Sequence, residues 1–391
     1  MAAKIFVPKE SAPGETRVAA TPETIKRYVK GGFEVTVETG AGAGAYMSDK
    51  AFEEAGASIS TDAKAAWASA DLVLKIGPPM QNPALSAHEA GLLKEGAILV
   101  SHAWANKNLE AVKMMAAGKV SWLALELVPR ISRAQSMDTL SSQANIAGYK
   151  AVLLAASKLG KYFPLLMTAA GTIQPARVVI MGAGVAGLQA VATARRLGAV
   201  VEVSDIRPEV KEQVESLGGK FIDLPMQESG SGDGGYAKEV TPEFLQKQRE
   251  IVRERVIAAD VLITTAQVPG RPAPRLVPAD MVEQMKAGSV IVDLAADSGG
   301  NCELTENGKE VTKHGVLIVG YSDLPAQTPV DASMLFARNV QALVKLLEKD
   351  ASFALDFEDE IIAGAALTHA GEVRHKPTAE ALSAASEGGS A

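Results

Sequence analysis

A glycine-rich segment, Gly182-Ala183-Gly184-Val185-Ala186-Gly187, follows the apolar run 177–181 and opens a helical pattern. In such a strand–turn–helix unit, the first glycine allows the tight turn and the second lets a pyrophosphate approach the backbone. The third lets helix and strand pack closely. Free N–H groups and the dipole at the helix N-terminus favour an anion there. The segment therefore predicts a dinucleotide-binding turn, with Val185 and Ala186 among its cofactor-binding residues.

An acidic residue follows this turn at the spacing that nucleotide recognition needs. Asp205 ends the next predicted strand, 200–205, and lies 205 − 182 = 23 residues after Gly182. A carboxylate there accepts hydrogen bonds from a ribose diol and repels a 2′-phosphate, which favours NAD over NADP. Arg207 lies nearby and would soften the discrimination against NADP. In the structural alternative, the glycines only permit a tight turn and Asp205 is a solvated strand end.

A second polar cluster follows the predicted strand 121–127. Ligands of open α/β sheets bind outside the carboxyl ends of the strands, where this cluster lies. Its guanidinium, amide, carboxylate and hydroxyl groups suit the carboxamide and ribose of a nicotinamide nucleotide. A polar loop with a helix-capping Asp or Ser explains the cluster equally well, and spacing alone leaves both open. The candidate residues are Arg130, Gln135, Asp138 and Ser141.

The composition limits the classes of protein that can carry these clusters. The 391 residues include 39 basic and 46 acidic side chains, a net charge of 39 − 46 = −7. No basic stripe is present, which argues against nucleic-acid binding. Cys302 is the one cysteine, so no intrachain disulfide forms, and the cytoplasm is the simplest location. No apolar run approaches the roughly 18 residues that span a bilayer, so direct membrane insertion is not expected.

Short apolar runs alternate with longer helical patterns along the chain, which indicates α/β architecture. Five predicted strands lie within 4–127 and six within 177–320. We therefore predict two Rossmann-like doubly wound domains with a cleft between them. The first comprises residues 1–141 plus 331–391, and the second, the NAD-binding domain, comprises 142–330. Helical patterns at about 140–160 and at 331–349, the latter capped by Asp331, connect them.

Two segments interrupt this alternation. The polar, glycine-rich stretch 226–241 contains Tyr236 and is longer than ordinary βα connections. It is either a mobile lid or a tolerated surface insertion, and a helix from Pro242 to about 257 should follow it. The segment 162–175 is typical of a hairpin.

Several runs of the sequence resemble the NAD(H)-binding component of proton-translocating nicotinamide nucleotide transhydrogenase. The similarity extends from residue 4 to about residue 376, and the run from Arg130 to Gln143 is more specific than the glycine motif. The family's spanning segments are absent here, which resembles its three-chain form. The runs are PRISRAQSMDTLSSQANIAGYKAV, MTAAGTIQPARVVIMGAGVAGLQAVATARRLGAVVEVSDIR, QVESLGGKFI and GGYAKE.

This resemblance implies hydride transfer between NAD(H) bound here and NADP(H) bound to a partner component. It implies that Arg130, Asp138 and Ser141 contact the carboxamide, as catalytic residues. Gln135 would reach the ribose and the partner's nucleotide, and Tyr236 would be the tyrosine of the lid. The implied partners are the NADP(H)-binding and membrane-spanning subunits and a second copy of the chain, joined through the 162–175 hairpin. The implied location is the cytoplasmic face of the inner membrane.

The same family is similar in fold to alanine dehydrogenase, which leaves a second function open. In that enzyme an arginine and a lysine hold the substrate, while a histidine and an aspartate handle protons. Hydride transfer between two nicotinamides needs no proton acceptor, so this set would be inherited and inactive in a transhydrogenase. The matching residues here are Arg17, Lys75, His102 and Asp297.

Overall fold

The computed structural model describes residues 2–223, 242–267 and 272–388. The chain divides into two compact units. Unit 1 comprises Met1–Gln143 and Pro325–Ala391, and unit 2 comprises Ala144–Leu324. The domain limits predicted from the sequence, 141/142 and 330/331, lie a few residues from these divisions. The first division falls inside one long helix, Thr139–Lys158.

The strands are short, as is usual for parallel sheets whose two faces are covered. In chain order they are β1 (Lys4–Val7), β2 (Glu34–Glu38), β3 (Ser58–Ser60), β4 (Leu72–Leu74), β5 (Gln81–Asn82), β6 (Ala87–His88), β7 (Ile98–Ser101), β8 (Ser121–Ala124), β9 (Leu166–Thr168), β10 (Gly171–Ile173), β11 (Arg177–Met181), β12 (Val200–Ser204), β13 (Lys220–Phe221), β14 (Val261–Thr264), β15 (Val290–Asp293), β16 (Glu310–Lys313), β17 (Val316–Val319), β18 (Glu348–Lys349), β19 (Ser352–Phe353), β20 (Ala366–His369) and β21 (Glu372–Val373).

The helices alternate with the strands through most of the described chain. They are α1 (Pro22–Lys30), α2 (Asp49–Glu54), α3 (Ala63–Ser69), α4 (Leu109–Ala117), α5 (Thr139–Lys158), α6 (Val185–Arg196), α7 (Lys211–Ser216), α8 (Pro242–Ile257), α9 (Ala279–Glu283), α10 (Pro329–Val344), α11 (Glu360–Ala365) and α12 (Lys376–Gly388). None of those in the described residues is long and apolar enough to cross a bilayer.

Unit 1 is built on a sheet of eight strands in the order β21-β20-β8-β7-β4-β1-β2-β3. Numbered by their own sequence, the six parallel strands β1–β4, β7 and β8 follow the doubly wound order 3-2-1-4-5-6. Strand β20 adds antiparallel to β8, with Ala366 opposite Leu123. The C-terminal segment therefore completes the sheet of the first unit. Large side chains including Phe6, Trp67 and Trp122 are fully buried around this sheet.

Unit 2 contains a seven-stranded sheet in the order β13-β12-β11-β14-β15-β17-β16. All neighbours are parallel except β16 and β17. Without the antiparallel edge strand β16, this sheet has the same doubly wound order as unit 1. The order reverses between β11 and β14, the point at which such sheets bind ligands. Two Rossmann-like α/β domains are therefore confirmed.

The structure corrects several local predictions. Strand β3 and the β20–β21 pair are absent from the sequence prediction, because three residues or an antiparallel edge give little periodicity. The predicted cap Asp331 lies in the first turn of α10, which begins at Pro329 with Thr328 before it. The predicted hairpin is confirmed as β9–β10, with Met167 opposite Thr172. Helix α8 begins at the predicted Pro242, whereas the predicted lid 226–241, with Tyr236, lies outside the described residues.

Candidate functional site

The glycine turn after β11 has the backbone geometry that only glycine allows. Gly182 has a φ of +105°, and a Cβ there would lie 2.4 Å from Thr265 Oγ1 at the end of β14. A Cβ on Gly187 would lie 1.8 Å from the Gly182 carbonyl oxygen, so helix α6 packs directly on the turn. Around Gly184, no atom lies within 4 Å of an added Cβ. The first and third glycines are thus required by packing, while the second faces open space.

The open space at Gly184 lies at the start of α6. Gly184 is the N-cap residue and offers no side chain to the N–H groups of the first turn. That turn contains no acidic residue, and Val185 is 42% exposed. Unsatisfied N–H groups and the helix dipole attract anions at such an end. The turn therefore fits a phosphate or pyrophosphate, the group that its sequence predicts.

Asp205 follows β12 and faces the glycine turn. Its Oδ2 accepts a hydrogen bond from the Ala183 N–H at 2.7 Å. Arg207 donates to both carboxylate oxygens, from Nε at 3.0 Å and from NH2 at 2.9 Å, and its own N–H donates to Oδ1 at 2.9 Å. Burial by itself raises the pKa of Asp205, but these hydrogen bonds from Arg207 and Ala183 outweigh it and hold the pKa below its ordinary value. The carboxylate is therefore ionised at neutral pH.

The pairing with Arg207 changes what the sequence suggested for both residues. The Asp205 side chain is 5% exposed and that of Arg207 is 50% exposed. A ribose diol would reach the carboxylate only after the exposed guanidinium moves aside. The guanidinium is meanwhile bound to Asp205 and not available to a 2′-phosphate, so Arg207 does not simply weaken the discrimination between the two nucleotides.

Two buried polar side chains that sequence analysis missed support the neighbouring loops. Asn301 pairs with the main chain of Ala266, accepting from its N–H at 3.0 Å and donating to its carbonyl at 2.8 Å. Asp293, at the end of β15, accepts from Thr264 Oγ1 at 3.0 Å and from the Cys302 N–H at 3.0 Å. Both are fully buried. They fix the loops after β14 and β15, and only their polarity within apolar surroundings could have signalled this in the sequence.

In unit 1 the polar run after β8 forms a 3-10 helix, Ser132–Met137, followed by α5. Asp138 lies between them and caps α5: its Oδ1 accepts from the Ser141 N–H at 2.9 Å and its Oδ2 from Ser141 Oγ at 2.6 Å. The capping alternative for Asp138 is therefore correct, and it does not exclude binding. The two residues form one hydrogen-bonded unit.

A cavity of about 270 Å³ lies beside this segment. Three of the four candidate residues line it, and the fourth, Ser141, is bonded to one of them. Arg130 and Gln135 are exposed, and Arg130 forms no ion pair within the described part of the chain. A free guanidinium, an amide and an oriented carboxylate thus meet at one opening. The lining residues are Leu125, Val128, Pro129, Arg130, Ile131, Ser132, Ala134, Gln135, Asp138 and Leu140.

Arg133, between the candidate residues, has a different role. It forms a two-fold hydrogen bond with Asp359, at 2.8 and 2.7 Å. Asp359 also caps α11 by accepting from the Ile361 N–H at 2.8 Å. The hydrogen bonds from Arg133 hold the pKa of Asp359 below its ordinary value. Arg133 therefore fastens the 3-10 helix to α11 and is not free for a ligand.

The residues that match alanine dehydrogenase are largely internal in unit 1. Lys75 is fully buried, with Glu10 at 2.9 Å and Glu89 at 3.3 Å. Burial alone would lower the pKa of Lys75, but the two carboxylates outweigh it and raise the pKa. Arg17 is bound to Glu15 through Nε and NH2, at 2.9 and 2.6 Å. The carboxylates Glu10, Glu15 and Glu89 were not foreseen, because their partners are known only from the fold.

His102 is buried against the start of α5. Its Nε2 lies 2.9 Å from Thr139 Oγ1. Burial, together with the nearby positive charge of Arg17, lowers the pKa of His102 to about 3. The imidazole is therefore neutral at physiological pH. Asp297, the fourth residue of this set, lies in unit 2, where its Oδ1 accepts from Ser298 Oγ at 3.0 Å.

The fold and the glycine turn define a Rossmann-type nucleotide-dependent oxidoreductase. Residues 6–147 match the N-terminal domain, and residues 151–376 the C-terminal domain, of the alanine dehydrogenase/PNT family, so the chain belongs to this family. It is 50% identical over 376 residues to an NAD(P) transhydrogenase subunit alpha chain of Rhodospirillum rubrum, covering 95% of this chain and 98% of the relative.

Solved structures agree with this assignment. A transhydrogenase from Sinorhizobium meliloti matches with a TM-score of 0.84 and 45% identity, covering 95% of this chain and 99% of that chain. An L-alanine dehydrogenase matches with a TM-score of 0.79 and 29% identity, covering 97% and 99%. The resemblance to a transhydrogenase component, and the relation to alanine dehydrogenase, are both confirmed.

Proposed function

We propose that the chain is the NAD(H)-binding component of a proton-translocating transhydrogenase. It would exchange a hydride between NAD(H) bound here and NADP(H) bound to a partner component. The observation that carries the proposal is the cavity lined by Arg130, Gln135 and Asp138. This segment accompanies the glycine turn in a chain that is 50% identical to a transhydrogenase alpha subunit.

The choice of NAD(H) over NADP(H) rests on Asp205. Its ionised carboxylate repels a 2′-phosphate and accepts hydrogen bonds from ribose hydroxyls. Arg207, the nearby cation, is bound to that carboxylate. The glycine turn fits the pyrophosphate, with Gly182, Gly184, Val185, Ala186 and Gly187 at the start of α6. These groups bind the nucleotide without taking part in the reaction.

The polar segment in unit 1 would bind and orient the nicotinamide half. NAD(H) supplies the hydride chemistry, and the protein supplies orientation and exclusion of water. Arg130 and Gln135 are exposed at the cavity and can donate to a carboxamide or ribose oxygen. Asp138 is oriented by two hydrogen bonds from Ser141. Such fixed groups matter because hydride transfer requires the reacting carbons at about 3–3.5 Å.

The proposed partners are the NADP(H)-binding and membrane-spanning subunits, which would place this chain at the cytoplasmic face of the inner membrane. Proton movement would belong to the membrane partner. A homodimer is proposed through the hairpin β9–β10, where Leu165 and Met167 are exposed by 53% and 73%. Exposed apolar side chains on a short hairpin are typical of a protein interface.

An amino-acid dehydrogenase is the second candidate, because Arg17, Lys75 and His102 are all retained and buried in unit 1. The internal ion pairs argue against it. A substrate carboxylate would have to compete with Glu15 for Arg17, and a substrate carbonyl with Glu10 and Glu89 for Lys75.

Equilibrium binding and a simple assay separate the two candidates. We expect the purified chain to bind NADH more tightly than NADPH, and to leave NADH unoxidised when pyruvate and ammonia are added. Equal affinity for the two nucleotides would contradict the role of Asp205. Oxidation of NADH that depends on both pyruvate and ammonia would favour the amino-acid dehydrogenase.

A further inference from the structure

Asn339, on helix α10, contacts the polar segment on both sides of Asp138. Its Nδ2 donates to the carbonyl oxygen of Ser136 at 2.8 Å. Its Oδ1 accepts from Ser142 Oγ at 2.7 Å. The amide thus uses its donor toward the 3-10 helix and its acceptor toward the first turn of α5, an assignment that the two partners fix because a carbonyl can only accept.

The 3-10 helix has little else to hold its main chain in place. The Ala134 N–H bonds to Ile131 O and the Asp138 N–H to Gln135 O, both within the segment itself. Short 3-10 helices have poorer hydrogen-bond geometry than α-helices. The contact from Asn339 to Ser136 fastens this backbone to a 16-residue helix whose other face packs in the core through Phe336, Val340 and Leu343.

Asn is a poor residue for the interior of a helix, because its side chain competes for backbone hydrogen bonds. Asn339 nevertheless lies well inside α10 and is half-buried. Its side chain bonds outside its own helix, to residues on either side of Asp138. Its position is therefore explained by the polar segment and not by α10.

We propose that Asn339 is a positioning residue for hydride transfer. It holds the 3-10 helix against α5 and thereby fixes Gln135 and Asp138 at the cavity. Arg133 fastens the same 3-10 helix to α11, but by a side chain that is 51% exposed. The inference rests on the proposed function, since the geometry that it protects is that of the nicotinamide half.

The test compares Asn339→Ala and Asn339→Asp with Arg338→Ala in the full chain. Asn339→Asp keeps the acceptor for Ser142 and removes the donor to Ser136. Arg338→Ala removes the ion pair with Glu23 from the adjacent position of the same helix and leaves the polar segment untouched. We expect both Asn339 variants to slow hydride transfer to a separately prepared NADP(H)-binding component by about tenfold or more, because small misplacements near the reacting atoms are costly.

A purely structural role would lower affinity and rate together. We therefore expect the Kd for NADH to change less than about threefold, because the pyrophosphate is bound at the glycine turn. Hydrogen exchange of the backbone amides 130–142 should accelerate in both Asn339 variants and stay unchanged in Arg338→Ala. Wild-type exchange rates in 130–142, or transfer within twofold of the wild type, would overturn the proposal.

The two proposals fail in different ways. If the wild-type chain transfers no hydride with the partner component, the proposed function fails. Hydrogen exchange together with NADH binding still decides whether Asn339 orders the segment. If Asn339→Ala does not fold, Asn339→Asp gives the same information, because it retains one of the two hydrogen bonds and the size of the side chain.

Discussion

Gly148 of α5 lies directly against Ala186 of α6, in the first turn after the glycine motif. A Cβ on Gly148 would come within 2.0 Å of the Ala186 carbonyl oxygen. Nearby, Asn145 Nδ2 donates to Gln189 Oε1 at 3.2 Å between the same two helices. The helix α5 therefore supports the start of α6, where the nucleotide phosphates are proposed to bind.

Replacing Gly148 with Ala should separate these two helices. The gain in helix propensity is about 1 kcal/mol, but a clash with a backbone carbonyl requires main-chain movement. We expect a net loss of about 2 kcal/mol in the free energy of unfolding, as for an overpacked core, measured by urea denaturation. Binding of NADH should weaken because the turn moves.

Gly160→Ala is the matched control in the same unit, since no atom lies within 4 Å of a Cβ there. It should be neutral or slightly stabilising. A Gly148→Ala variant as stable as Gly160→Ala would show that α5 and α6 are not in close contact.

Asp205→Ala should weaken NADH binding and narrow the preference for NADH over NADPH. The variant loses a charged acceptor, whose hydrogen bonds are each worth about 1.5–3 kcal/mol, and it releases Arg207 to meet a 2′-phosphate. We expect the ratio of the two dissociation constants to change by about tenfold or more, measured by fluorescence titration.

Asp223→Ala serves as control, because its exposed carboxylate pairs with Lys211 on the same unit. It should leave both affinities unchanged. Unaltered NADH binding by Asp205→Ala would contradict the ribose assignment.

Gln135→Asn should depress hydride transfer while leaving the affinity for NADH nearly unchanged. Shortening the side chain by one methylene withdraws the amide from the cavity without altering charge. A tenfold or larger fall in the transfer rate is expected, because positioning errors near the reacting atoms are costly. Ser136→Ala, which removes the neighbouring exposed hydroxyl, should transfer at the wild-type rate. A large loss of NADH affinity in Gln135→Asn would count against its bridging role.

His102 should make the stability of the chain depend on pH. Its folded pKa of about 3 lies below its ordinary value of 6.5. Between these values the unfolded chain binds a proton that the folded chain does not, so stability falls as the pH falls. The slope contributed is up to about 1.4 kcal/mol per pH unit.

This contribution can be isolated between pH 6.5 and 5. The free energy of unfolding should fall more steeply in the wild type than in His102→Gln, by about 1–2 kcal/mol over that interval. Parallel curves for the two proteins would mean that the imidazole is accessible to protons in the folded state.

The sequence predicted those parts of the site that depend on local order. Gly182, Gly184 and Gly187 need only a strand before them and a helix after them, and Asp205 needs only the end of the next strand. The structure reproduces this geometry because each requirement lies within a few tens of residues. The doubly wound sheets follow from the alternation of strands and helices in the same way.

The remainder depends on contacts that sequence spacing does not reveal. Asn339 reaches Ser136 across 203 residues, and Arg133 reaches Asp359 across 226. Strand β20 joins β8 through a pairing of similar separation. The Arg207–Asp205 pair is local, but spacing alone does not reveal that the two side chains bind each other before either meets a ribose or a 2′-phosphate.

Stopped-flow hydride transfer is the most direct test of the proposed function. NADPH bound to a separately prepared NADP(H)-binding component is mixed with this chain carrying NAD⁺, and formation of NADH is followed. We predict rapid transfer in a first turnover only when both components are present. Nucleotide binding without transfer, joined by oxidation of NADH with pyruvate and ammonia, would contradict the proposed function.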